Sequence, residues 1–156
     1  MAKWNIDHDH SVAAFSIKHM MIAYVHGQLN NISGTINFDH EKISETSMAF
    51  EIIVDSIITG IKKRDDHLKS QDFFCQDKYP KITFASTKAE ITGFNSCKIS
   101  GDLTVRGTTK PVSVDVEFFG SVKSPFGETS MGFTAKTMLA REDFEMSWNQ
   151  SMENGG

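Results

Sequence analysis

Apolar and polar residues alternate along most of this chain with a period of two. In SVAAFSIK (11–18), Ala13, Phe15 and Ile17 share one face, and in NISGTINFD (31–39) Ile32, Gly34, Ile36 and Phe38 do the same. SMAFEIIVD (47–55) sets Met48, Phe50, Ile52 and Val54 together, and KITFAST (81–87) sets Ile82 with Phe84. CKISGDLTVR (97–106) separates Ile99, Leu103 and Val105 from polar neighbours, and PVSVDVEFFG (111–120) does so with Val112, Val114, Val116 and Phe118. SMGFTAKTML (130–139) groups Met131, Phe133, Ala135 and Thr137. Successive side chains of a strand point to opposite faces, so each run predicts a strand with one dry and one wet face. Turn signals fall between them: Asp39-His40, Arg106-Gly107, Gly120 and Ser124-Pro125-Phe126-Gly127. Short connections imply antiparallel neighbours, and seven or eight strands of this kind form a barrel or a sandwich.

One segment breaks the alternation. From Ile61 to Ser70, Ile61 and Leu68 sit on a helical stripe, with Asp65 and Lys69 at i,i+4 spacing. Thr59 and Gly60 precede it, so a helix of two to three turns is expected between the strands at 47–58 and 81–87. QDFFCQDKYP (71–80) is then expected to return to the sheet in extended form, which sends one of Phe73 and Phe74 inward.

The totals narrow the picture. A chain of 156 residues, 39% hydrophobic and 23% charged, fits one globular domain, expected at 1–150 with a frayed tail at 151–156. Its net charge of −4 and scattered Lys and Arg argue against nucleic acid. No run of eighteen apolar residues suggests a membrane span. MAKWNIDHDHS lacks a leader's apolar stretch, so a cytoplasmic location is expected for the chain as it stands, and a periplasmic one if a leader has been removed. Cys75 and Cys97 read as free thiols. Twelve Phe and eight Met beside two Tyr fit either a filled core or a dry interior shaped for an apolar guest.

Two constellations carry potential chemistry. In DHDH (7–10), a strand conformation would put His8 and His10 on one face at chelating distance, with His19, His26 or His67 as further ligands. In RDDHL (64–68), Asp65 or Asp66 could orient His67 as a general base. No nucleophile frame or metal-binding spacing accompanies either, so neither a catalytic nor a metal site is assigned. The favoured reading is that Arg64, an aspartate and His67 tie the helix to the barrel rim.

The residues themselves resemble the YceI-like family. WNIDHDHSVAAFSIKHMMIAYVHGQLNNISGTINFD is similar to its opening, through Asp7, His10-Ser11, Phe15, His19, Gly27, Gly34 and Phe38-Asp39. DSIITGIKKRDDHLKSQDFF is similar to its signature through Asp55-Ser56-Ile57, Thr59-Gly60, Arg64-Asp65, His67-Leu68 and Asp72-Phe73-Phe74. YPKITFAST, ISGDLTVRGTTKPV and REDF (141–144) resemble later blocks. Cys75 stands where members often carry an acid, and Glu145 where a glycine is common.

The resemblance implies an all-β fold, an eight-stranded antiparallel lipocalin-like barrel with one short flanking helix. It also implies a non-enzymatic role, holding a long isoprenoid-type lipid or quinone inside the barrel for storage or transport, with no other cofactor. The expected ligand contacts are Phe15, Ile17, Ile36, Phe38, Phe50 and Ile52 from the first half. Leu68, Phe74, Phe84, Leu103, Val105 and Phe133 follow from the second, and Arg64 and His67 stand at the rim. The alternative is an enzyme on a small apolar or metal-bound substrate, using His67 with Asp65 or the His8/His10 pair. Edge strands and exposed Met or Phe leave a homodimer open.

Overall fold

The structure, a computed structural model, describes residues 2–19, 23–39, 41–144 and 146. Among the described residues its framework is ten antiparallel strands: β1 (Ala2–Asn5), β2 (Ala13–His19), β3 (Ala23–Leu29), β4 (Ile32–Phe38), β5 (Ser47–Ile53), β6 (Ile57–Ile58), β7 (Lys81–Gly93), β8 (Ser96–Val105), β9 (Thr108–Lys123) and β10 (Thr129–Lys136). A curled seven-stranded sheet runs β1-β4-β5-β7-β8-β9-β10, and a three-stranded sheet runs β2-β3-β6. Together they form the expected all-β antiparallel barrel framework, with one α-helix among the described residues, α1 (Lys62–Lys69), beside it. The count reaches ten because β1 and β6 are too short to show a period, and β3 alternates around Val25, Gly27 and Leu29 with polar residues throughout.

Register follows from the alternation. Ile32 lies opposite Ile52, Ile36 opposite Met48, Phe50 opposite Phe84, and Ile99 opposite Val114. Cross-strand partners share a face, so these pairs build one continuous apolar surface. Ile36, Met48, Phe84, Ile99, Val116 and Phe118 are all buried in it. The β8–β9 connection is the Arg106-Gly107 turn, with Val105 opposite Thr108 and both turn residues at positive φ, 52° and 74°. Two left-handed residues give the backward twist that a two-residue hairpin loop needs.

Several local expectations fail. The helix begins one residue after Ile61, which is extended at φ −128° and 53% exposed, so only Leu68 of the stripe is buried. Asp65 does not pair with Lys69: Lys69 reaches Asp55 at 3.2 Å, and the i,i+4 pair is Lys62–Asp66 at 2.8 Å. Residues 71–78 form successive turns around Cys75 at φ +53° instead of a strand. Both phenylalanines therefore pack inward, Phe73 within the core and Phe74 against it. DHDH is also a turn, closed by His10 Nδ1 to Asp7 Oδ2 at 2.8 Å and by the Asp9 amide donating to Asp7. Gly120 lies inside β9, beside a register shift between Met131 and Phe133. β10 stops at Lys136, so Ala135 is exposed and Thr137, beyond the strand, bonds the Ser113 carbonyl. Glu145 and the tail at 151–156 lie outside the described residues.

Candidate ligand-binding interior

The concave surface is lined by the inward columns of the two sheets. From the smaller sheet come Ala13, Phe15 and Ile17, paired with Leu29, Gly27 and Val25. From the larger come the alternates of β4, β5 and β7–β10 named above. Trp4, opposite Ile36 on β1, and Met131 on β10 join this lining. Met131 follows from the alternation of 130–139, whereas Trp4 escaped it, since β1 is short and a lone Trp carries no period.

Two inward glycines, Gly27 and Gly101, make room for phenylalanine rings, and a third, Gly34, for the neighbouring strand's backbone. A Cβ on Gly27 would fall 2.4 Å from the Phe15 ring tip, and one on Gly101 would fall 2.7 Å from that of Phe84. A Cβ on Gly34 would meet Phe50 Cβ at 2.9 Å and the Ala49 carbonyl at 2.2 Å. The Phe15 and Phe84 rings therefore lie across neighbouring glycines, against the wall. Phe50 and Phe84 stack with centroids 5.1 Å apart. A side chain laid on the wall occupies less of the bore than one projecting across it. Phe15, Ile17, Ile32, Phe50, Phe74, Val112, Met131 and Phe133 are only half-buried although they face inward, whereas Phe84 is fully buried.

The expected contacts divide accordingly. Ile36, Phe38, Ile52, Leu68, Phe84, Leu103 and Val105 are buried among themselves, while Phe15, Ile17, Phe50, Phe74 and Phe133 keep accessible surface. Phe38 stacks on Phe118 with centroids 4.1 Å apart.

The α1 end is sealed by local hydrogen bonds. The Thr59 amide and hydroxyl donate to Asp65 Oδ1 at 2.8 and 2.5 Å. Arg64 donates through Nε to the Thr59 hydroxyl oxygen at 2.8 Å and through Nη2 to the Thr59 carbonyl at 2.7 Å. His67 Nε2 meets Asp72 Oδ2 at 2.9 Å, with its ring edge-on to Phe73 at 5.1 Å. Gly60, at φ +94°, supplies the backbone turn that brings Thr59 back over the first helical turn. Asp65 therefore serves Thr59 and not His67, and the Asp65–His67 dyad considered from sequence does not form. These bonds brace α1, whose Leu68 is buried, as are Ile57 and Val54.

Electrostatics elsewhere is superficial. The hydrogen bond from His10 holds the Asp7 carboxyl below its usual range, and the same bond raises His10. Burial pushes the Cys97 thiol up. Both cysteines are free and buried. Among the described residues no three His, Cys, Asp or Glu side chains converge as metal ligands.

The YceI-like domain family model matches residues 4–156. The chain belongs to the YceI-like family. This YceI-like protein is 35% identical over 157 aligned positions to a UPF0312 protein of Staphylococcus aureus, covering all of this chain and 89% of that one. Among solved structures it is similar to BcnA of Burkholderia cenocepacia, with a TM-score of 0.76 at 26% identity over 85% of this chain and 79% of that one. A Campylobacter jejuni YCEI protein gives 0.72 at 33% identity, over 93% and 85% of the two chains. A Saccharophagus degradans domain described as polyisoprenoid-binding shares the fold, with a TM-score of 0.52 at 16% identity over 69% and 61%.

Proposed function

We propose that this YceI-like protein binds one long-chain isoprenoid-type lipid or quinone along its apolar interior, as a carrier or store and not as an enzyme. The observation that carries this reading is the half-buried state of inward-facing Phe15, Phe50, Phe74 and Phe133, with Phe15 laid across Gly27. Apolar side chains that face inward yet keep accessible surface leave hydrophobic area for a guest to cover. The polisoprenoid-binding description of the S. degradans domain supports the class of guest. Each buried CH₂ contributes about 0.8 kcal/mol, so a five-carbon isoprene unit adds about 3–4 kcal/mol before ordering costs. Several units suffice for tight binding without a polar anchor. Arg64 and His67 act through closure, since both are engaged with Thr59 and Asp72.

The test uses delipidated protein and a radiolabelled forty-carbon prenyl alcohol. Co-elution at one per chain is expected. Gly27→Leu, which drives Phe15 off the wall and into the bore, is expected to cut retention at least tenfold. Absence of co-elution, or equal retention by the variant, would contradict the reading.

A further inference from the structure

The loop after α1 and the β8–β9 turn meet in a polar cleft to which none of the inward apolar columns contributes. Gln71, Cys75, Lys78, Tyr79 and Arg106 line about 360 Å³ of space. That volume falls in the range of roughly 300–1,000 Å³ found for small-molecule sites. Hydrogen bonds hold its two halves together. The Cys75 carbonyl accepts from the Lys78 amide at 3.1 Å and from the Tyr79 amide at 2.9 Å, which closes the loop into a turn carrying both side chains. Arg106 donates through Nη2 to the Gln71 carbonyl at 2.6 Å and so staples the β8–β9 turn to the loop. The Tyr79 ring lies over Gly107, where a Cβ would fall 2.5 Å from Tyr79 Cε1.

Two features set this cleft apart. Cys75 and Arg106, at φ +53° and +52°, are the non-glycine residues at positive φ among the described residues, and both belong to its lining. Side chains with a Cβ adopt that conformation at a cost, and residues held in it cluster at ligand sites. The second feature is charge. The lining carries two cations, Lys78 and Arg106, and no carboxylate. Lys78 forms no ion pair among the described residues. Asp72, in the same loop, is held by His67 at 2.9 Å, and Asp77 lies outside the lining. Tyr79 and Gln71 add a phenol and an amide, both hydrogen-bond donors.

We propose that this cleft binds a small phosphomonoester. A guanidinium and an ammonium lining one space recognise a phosphate dianion, the first through paired donors and the second as a point charge. Arg106 keeps its place through the Gln71 carbonyl while its charge stays in the cleft. The phenol and the amide donate to remaining phosphate oxygens or to a hydroxyl of the attached group. The volume exceeds what a bare phosphate ion fills, which leaves room for that group. A lipid headgroup shares the phosphate chemistry, but apart from the Cys75 thiol and the Tyr79 ring the lining gives acyl chains nothing to cover. The inference is independent of the cargo reading, since no interior side chain takes part.

The experiment is an NMR titration of the ¹⁵N-labelled full chain with glycerol 3-phosphate at constant ionic strength. Saturable shifts are expected for the amides of residues 71, 75–79, 106 and 107, with half-saturation below about 1 mM. Lys78→Gln, at an exposed position, is expected to weaken binding at least tenfold. Cys75→Asp, which adds a carboxylate to the lining with a residue type that tolerates positive φ, is expected to weaken it as much. Circular dichroism checks that both variants fold; should Cys75→Asp fail to do so, Lys78→Gln decides. Absence of saturable shifts, shifts located elsewhere, or equal affinity in Lys78→Gln would overturn the proposal. Inorganic phosphate or sulfate binding as tightly as the ester would mean an adventitious ion only and would overturn it too. So would binding to phosphatidic acid vesicles without binding of glycerol 3-phosphate, which would assign the cleft to a lipid headgroup.

Discussion

The two ends of the barrel use their side chains in opposite ways. At the α1 end every polar group of the signature closes on its own neighbours: Asp65 and Arg64 on Thr59, and His67 on Asp72. Leu68 and Phe73 are buried beneath them. At the β9–β10 hairpin end, Val122 and Phe126 are exposed. Charged residues thus work inside the structure at one end, and apolar side chains face outwards at the other. The difference teaches that residue type is a poor guide to role here: a cluster of Arg, Asp and His serves packing, while apolar side chains stand exposed.

This contrast can be broken by substitution, beginning where the effect is largest. Leu68→Ala removes the helix's buried side chain and is expected to cost about 3 kcal/mol of unfolding free energy, read by urea denaturation. Asp65→Ala deprives the Thr59 amide and hydroxyl of their acceptor and is expected to cost about 1–3 kcal/mol. A loss under about 0.3 kcal/mol in the same assay would mean that the brace is ornamental. At the opposite end, Phe126→Ser is expected to leave stability within about 0.5 kcal/mol of wild type. A larger loss would show that the tip packs against something, and would erase the contrast.

The smallest effect concerns the Asp7–His10 turn, which is fully exposed. Its hydrogen bond raises His10 and lowers Asp7. The histidine's contribution is therefore complete below its unfolded-state pKa and fades as pH rises through its higher folded one. The aspartate's is complete above its unfolded-state pKa and fades as pH falls through its lower folded one. An NMR titration is expected to show the His10 midpoint falling towards that of an unpaired imidazole in Asp7→Asn. An unchanged midpoint would refute the pairing.

Much of this architecture is legible in the alternation alone. The inward columns through Ile36, Phe50, Phe84, Ile99 and Val114 follow from period two, because a buried face fixes register. What escaped has physical causes. β6 has two residues and no period to read. Ile61 belongs to the extended approach to α1, so a seven-residue spacing with Leu68 did not mean a shared helical face. Phe73 and Phe74 both pack inward because Cys75 turns the chain at positive φ, a conformation that a non-glycine residue does not advertise. The role of Gly27 and Gly101 depends on which ring lies across each, a tertiary fact carried by cross-strand geometry.

The central claim is that the half-buried phenylalanines line space held for a lipid chain. Native mass spectrometry of gently purified protein tests it most directly. The expected result is a chain mass increased by one apolar adduct, released by organic extraction and identified as an isoprenoid-type lipid or quinone. A bare chain mass under the same conditions, together with failure to take up added prenyl alcohol, would contradict it.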